Sequence, residues 1–274
     1  MKEVLLEGKN VSRIFRQGKE ITRVLNGIDV KIYERDFTVI MGSSGAGKST
    51  LLYALSGMDQ VSEGTVLYKG KEISSLGEKE MSELRARDFG FVFQQTHLVS
   101  NLTLFENVAV AGYLSRKGST AQMQERAEDL LKQMNVEQAR NRLPSKVSGG
   151  EAQRAAIARA VIGEPGLLFA DEPTGALNKA HSIEVLNLLT SLHESGQSIL
   201  LVTHDLRAAA RGNRILYLED GNVLSELELP LYQPEKEKTC GKANLTTGFL
   251  CFHGRRSKMG SKCIWKAGIK KPKG

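Results

Sequence analysis

Apolar residues group in two ways along this chain, and the two groupings occupy different stretches. Three short continuous runs, Phe37–Met41, residues 167–170 and Ser198–Val202, are each bounded by polar or glycine-containing turns. Unbroken runs of this length suit strands buried on both faces, as in a parallel sheet. Each is followed by a turn and then by helical spacing, so the pattern predicts an α/β core. Ahead of that core, residues 4–11, 25–32 and 64–68 read as shorter strands separated by turns, an N-terminal antiparallel β addition. Between about residues 96 and 143 the period changes. Met123, Ala127, Leu130, Leu131 and Met134 fall on one helical face with charged residues opposite, which predicts an inserted α-helical subdomain.

Composition divides the 274 residues into two regions. From residue 231 to 274 there are nine Lys, two Arg and two Glu, whereas the preceding body holds 27 basic and 29 acidic residues. The basic character therefore belongs to a tail, and the body makes no electrostatic case for a nucleic-acid partner. Domain boundaries follow: residues 1–230 form one domain, with 231–274 a basic extension. That extension holds all three cysteines (Cys240, Cys251, Cys263) and the only tryptophan, Trp265. A cysteine-free body fits a reducing compartment. No apolar run approaches the roughly 18 residues of a membrane span, and the opening MKEVLLEGKN has no secretory pattern. These features predict a cytoplasmic protein.

The first candidate chemistry follows the run Phe37–Met41. Gly42-Ser43-Ser44-Gly45-Ala46-Gly47-Lys48-Ser49-Thr50 leads from a predicted strand into a predicted helix, the context a phosphate loop requires. Glycines let backbone N–H groups turn inward around a phosphate, and the helix start adds its positive end. Lys48 is placed to reach the β- and γ-phosphates of ATP, and Ser49 to offer its hydroxyl to Mg²⁺. A second strand ends in the adjacent acids Asp171 and Glu172. Asp171 suits the metal, and Glu172 suits a general base for an attacking water. The fold expected is thus an α/β P-loop NTPase core with a parallel sheet.

A third motif narrows the class. Val147-Ser148-Gly149-Gly150-Glu151-Ala152-Gln153-Arg154 opens a predicted helix, so a hydroxyl, flexible backbone and a helix start form another anion cradle. Two phosphate cradles far apart in one chain are reconciled by a head-to-tail homodimer, each Ser148 loop closing on the partner's ATP. This stretch resembles the LSGGQ motif of the ABC ATPase family, with Glu151 a mild departure from Gln, and the resemblance runs from about residue 4 to 228. It implies that Phe15 stacks on adenine and that Gln94 senses Mg²⁺ and a membrane permease. It also implies that His204 contacts the γ-phosphate. Taken alone, Phe15 reads equally as a core residue. His97, His181, His193 and His253 match no family position and read as structural.

Asn178 stands where most relatives carry Asp, which removes a charge from a loop expected at the dimer interface. Residues 101–108, 170–177 and 196–206 resemble the branch that releases lipoproteins and exports macrolides. Asn178, Arg207-Ala208-Ala209-Ala210 and residues 214–221 look most like ATPases of bacterial bacitracin and lantibiotic systems. The resemblance implies an ATP-hydrolysing subunit, peripheral on the inner membrane face, that powers a separate permease. Two alternatives stay open: a soluble ABC ATPase outside transport, and a regulator relaying a signal to a sensor kinase. The tail reads as a solvated extension, a lipid contact through Arg255-Arg256 and Lys270-Lys271, or a shifted reading frame. Its cysteines and His253 lack zinc-site spacing.

Overall fold

The predicted runs Phe37–Met41 and Ser198–Val202 are strands, and the run from residue 167 extends one residue further, to Asp171. The computed structural model describes residues 2–229 except Lys19. In chain order it gives β1 (Val4–Gln17), β2 (Glu20–Tyr33), β3 (Phe37–Met41), α1 (Lys48–Leu55), β4 (Glu63–Tyr68), β5 (Lys71–Glu72), α2 (Glu78–Asp88) and β6 (Phe89–Phe93). Then come α3 (Leu104–Ser115), α4 (Thr120–Gln133), α5 (Gly149–Val161), β7 (Leu167–Asp171), α6 (Lys179–Glu194), β8 (Ser198–Val202), α7 (Leu206–Ala209), β9 (Arg214–Glu219) and β10 (Asn222–Glu228). The tail residues singled out above lie outside the described residues.

Two sheets form. One is antiparallel in the order β2-β1-β4-β5, the expected N-terminal addition. The other runs β10-β9-β3-β8-β7-β6, with β9, β3, β8, β7 and β6 mutually parallel and β10 an antiparallel edge. Every residue of β3, β7 and β8 is buried, which is why those strands read as unbroken apolar runs. Their side chains alternate between two cores. Phe37, Val39, Met41, Leu168, Ala170, Ile199 and Leu201 face a core shared with α3, α4, α5 and α6. Ile40, Leu167, Phe169, Leu200 and Val202 face a second core shared with α1 and the antiparallel sheet.

One expectation is corrected. β1 and β2 are each 14 residues long, well beyond the short strands expected, because their outer halves mix exposed polar residues with apolar ones. Register shifts between Gly8 and Ile14 further blur the alternation along β1. Within residues 96–143, α3 and α4 are present, and Met123, Ala127, Leu130, Leu131 and Met134 are buried as expected. Leu104, Val108 and Leu131 of this insertion share one core cluster with Phe37 and Ile199 of the sheet.

Candidate phosphate-binding site

The strand order places the C-terminal ends of β3, β8, β7 and β6 side by side, with neighbours about 4.8 Å apart. Most of the predicted site residues leave the sheet at that edge, Phe15, Ser148, Gly149 and Gly150 being the exceptions. The loop 42–47 follows β3, His204 follows β8, Glu172 follows β7 and Gln94 follows β6. Ligands of open α/β sheets bind at this edge.

In the loop, Ser43, Ser44 and Gly45 are exposed, whereas Ala46, Gly47 and Lys48 are buried. Gly47 caps α1 at φ 95° and offers no side chain, so the first N–H groups of the helix are not met by a side-chain cap. The β1–β2 hairpin presses close: a Cβ at position 47 would lie 3.0 Å from the Val24 carbonyl oxygen. Glycine is therefore required by both conformation and space. Lys48 is only 7% exposed, and its Nζ donates to the Ser43 carbonyl oxygen at 2.7 Å. Among the described residues no carboxylate forms an ion pair with it. A buried cation held by a single carbonyl is costly unless an anion joins it. Ser49 and Thr50 follow, half-buried, on the first turn of α1.

The two adjacent acids point apart. Asp171 is the last residue of β7 and is 9% exposed; its Oδ1 accepts from Ser49 Oγ at 2.8 Å. Its Oδ2 accepts from the Tyr53 hydroxyl at 2.6 Å, a partner that sequence reasoning missed. Glu172 takes φ 44°, an uncommon value for a non-glycine residue, while its N–H still donates to the Val202 carbonyl at 2.9 Å. That turn aims Glu172 at His204, whose Nδ1 lies 3.0 Å from Glu172 Oε1. The two line one cleft with Thr174, Gly175, Thr203, Asp205 and Arg207. Burial alone would raise the Asp205 pKa; hydrogen bonds from Arg207 outweigh it and hold the carboxyl below its usual range.

Gln94 is exposed at the end of β6, and its amide lies against Gly175, next to the Glu172 turn. Phe15 is 42% exposed on β1, so the core reading is set aside. The Arg13 guanidinium covers one face of its ring at 4.6 Å from the centroid. Asn178 caps α6, accepting from the His181 N–H at 3.0 Å. The oxygen donors of Asp171 and Ser49 fit a hard cation such as Mg²⁺, which takes few protein ligands and lets phosphates complete its shell.

Ser148, Gly149 and Gly150 lie elsewhere, and among the described residues no hydrogen bond joins them to residues 42–50. Ser148 caps α5 in a closed box: its N–H and hydroxyl both donate to Glu151 Oε2, at 2.8 and 2.7 Å, and the Glu151 N–H donates back at 3.2 Å. The departure from Gln is thus the residue that holds Ser148. The His181 ring packs on Gly150, where an added Cβ would meet it at 2.6 Å, so His181 is tied to this cradle.

The Ser148 hydroxyl, chiefly, holds the Glu151 pKa below its usual range. A depressed carboxylate contributes fully above its unfolded pKa, so the box is intact at neutral pH and weakens as pH falls through the lowered folded value. Glu151→Ala should cost about 1 kcal/mol of stability, while Glu151→Gln keeps most of it; urea unfolding of the three chains checks this.

A family model described as "ABC transporter" matches residues 25–175. The macrolide export ATP-binding/permease protein MacB of Pasteurella multocida is 40% identical over 226 residues, which is 82% of this chain and 35% of that protein. The chain thus spans about a third of the length of such relatives. The lipoprotein-releasing system ATP-binding protein LolD of Aquifex aeolicus is 43% identical over 223 residues, 81% of this chain and 97% of that one. Among solved structures, the dimeric post-hydrolysis state of the ATP-binding cassette MJ0796 bound to ADP and Pi is similar with a TM-score of 0.78. Its identity is 37%, covering 83% of this chain and all of that one.

Proposed function

This chain belongs to the ABC transporter family of ATP-binding cassettes, and from that premise we propose that two copies close head to tail around two ATP molecules to drive a separate membrane permease. The single observation that carries the ATP-site reading is the buried Lys48, which among the described residues has only the Ser43 carbonyl for a partner at the mouth of a glycine loop. In this reading the loop 42–50 wraps the phosphates and Lys48 exchanges Ser43 for β- and γ-phosphate oxygens. Phe15 offers its open face to adenine. Ser148, Gly149 and Gly150 of one copy close over the γ-phosphate held by the other.

Asp171 and Ser49 would hold Mg²⁺, which supplies charge neutralisation to the phosphates when bound. Glu172 takes a proton from the attacking water, and His204 fixes the carboxylate's orientation while its ring reaches toward the γ-phosphate. Gln94, lying against Gly175, couples the Glu172 turn to the helical layer that follows it in the chain. Binding favours the closed dimer because each ATP touches both copies. Cleavage of the γ-phosphate removes that bridge, so the dimer opens and moves α3 and α4. Among the described residues no helix is long and apolar enough to cross a membrane.

For the cargo, the motifs around Asn178 and residues 207–210 favour peptide antibiotics, exported or sensed. Deleting the gene should raise sensitivity to bacitracin-like peptides and lantibiotics. The intact chain should restore resistance and Glu172→Gln should not. Unchanged sensitivity would remove the peptide cargo and leave the ATPase in place. Asn178→Asp keeps the helix cap and adds a charge that suits a helix start, so stability should rise by roughly 0.3–1 kcal/mol. If the loop acts across the interface, turnover or the cooperativity between sites also changes; steady-state ATPase kinetics decide that.

A further inference from the structure

Asp171 carries a second hydroxyl partner that the proposed chemistry does not use. Ser49 and Tyr53 stand one turn apart on α1, so their side chains share a face. Each hydroxyl takes a different oxygen of the same carboxylate, Ser49 at 2.8 Å on Oδ1 and Tyr53 at 2.6 Å on Oδ2. Two donors on opposite oxygens fix the rotation of a carboxyl group that one donor would leave free. The Tyr53 ring is itself held, packed against the core beneath α1, with its backbone carbonyl accepting from Met58 and Asp59. The hydroxyl is therefore delivered by a rigid arm.

We propose that Tyr53 is a positioning residue for the metal site, locking the Asp171 carboxylate so that Oδ1 is presented on the Ser49 side. The proposal rests on the reading of Asp171 and Ser49 as the magnesium-holding pair. Hydrogen-bonding partners behind a metal ligand set its orientation, and losing one typically costs roughly 10–100-fold in metal affinity. Tyr53→Phe keeps the ring and removes only the donor.

The test measures Mn²⁺ binding by electron paramagnetic resonance to the ATP complex of the Glu172→Gln chain, with and without Tyr53→Phe. Metal-free ATP binding is measured in parallel, and Asp171→Asn serves as the reference. Tyr53→Phe should weaken Mn²⁺ binding about tenfold and leave metal-free ATP binding within about twofold. In the otherwise native chain, the Mg²⁺ concentration for half-maximal hydrolysis should rise similarly, with little change in the rate at saturating Mg²⁺. Unchanged Mn²⁺ affinity in Tyr53→Phe, alongside a loss in Asp171→Asn, overturns the role of Tyr53 and spares the site. Unchanged affinity in both overturns the metal reading itself. Equal losses of metal-bound and metal-free ATP in Tyr53→Phe would mark the hydroxyl as structural and also overturn the proposal.

Discussion

Glu172→Gln should lower ATP turnover by roughly 10²–10⁴-fold while leaving ATP binding within a few-fold, because a positioned base contributes about that factor to proton transfer. The amide preserves size and the unusual φ of 44°, and it can still meet His204 Nδ1 through its oxygen. What it loses is the ability to accept a proton from water. A trapped ATP state is the consequence, since the bridge between the two copies is not cut. His204→Ala should also slow turnover, by freeing the Glu172 carboxylate from the ring nitrogen 3.0 Å away that orients it. Single-turnover hydrolysis with radiolabelled ATP measures both. Unaltered turnover in Glu172→Gln would take the base role from this residue.

Lys48→Met should abolish measurable hydrolysis and weaken ATP binding by roughly 2–3 kcal/mol, about 30–150-fold, the worth of hydrogen bonds to a charged group. Its effect on folding should run the opposite way. Lys48 is buried with one carbonyl partner and no ion pair among the described residues, and an unpaired buried cation disfavours the folded state. Replacing it with an apolar chain of similar length should leave the unfolding temperature unchanged or raised. Loss of binding together with gain of stability is what a site built for an absent anion predicts. Loss of both would mean that Lys48 supports the fold instead.

Much of this fold was legible because a parallel sheet buried on both faces writes itself as unbroken apolar runs. β3, β7 and β8 carry that pattern, and the phosphate loop, the acids and His204 sit at their ends. β6 was legible only as a motif around Gln94, β9 was not read although it is an interior and mostly buried strand, and β10 hardly showed, since an edge strand mixes exposed polar residues with apolar ones. The long β1–β2 hairpin was cut short for the same reason. Asp171 and Glu172 were expected to divide their work where the strand ends. The left-handed turn at Glu172 is what points the two side chains apart, and no residue type announces it.

Tyr53 was invisible: a tyrosine in an amphipathic helix reads as packing, and only the distance to Asp171 assigns it more. Glu151 read as a mild departure, yet its carboxylate holds Ser148 by two hydrogen bonds. Spacing predicts a phosphate cradle at Ser148, and the structure shows a capping box there at the start of α5. His181, set aside as structural, in fact abuts Gly150 at that cradle.

The central claim is that ATP joins two copies of this chain, the loop around Lys48 from one and Ser148 from the other. The most direct measurement is the molar mass of the Glu172→Gln chain by light scattering, with Mg²⁺ and ATP, alone and combined with Ser148→Phe. The account predicts a dimer that appears with ATP, carries one ATP per chain, and is lost with Ser148→Phe while each monomer still binds ATP. An ATP-saturated chain that stays monomeric at every concentration, or a dimer indifferent to Ser148→Phe, would contradict it.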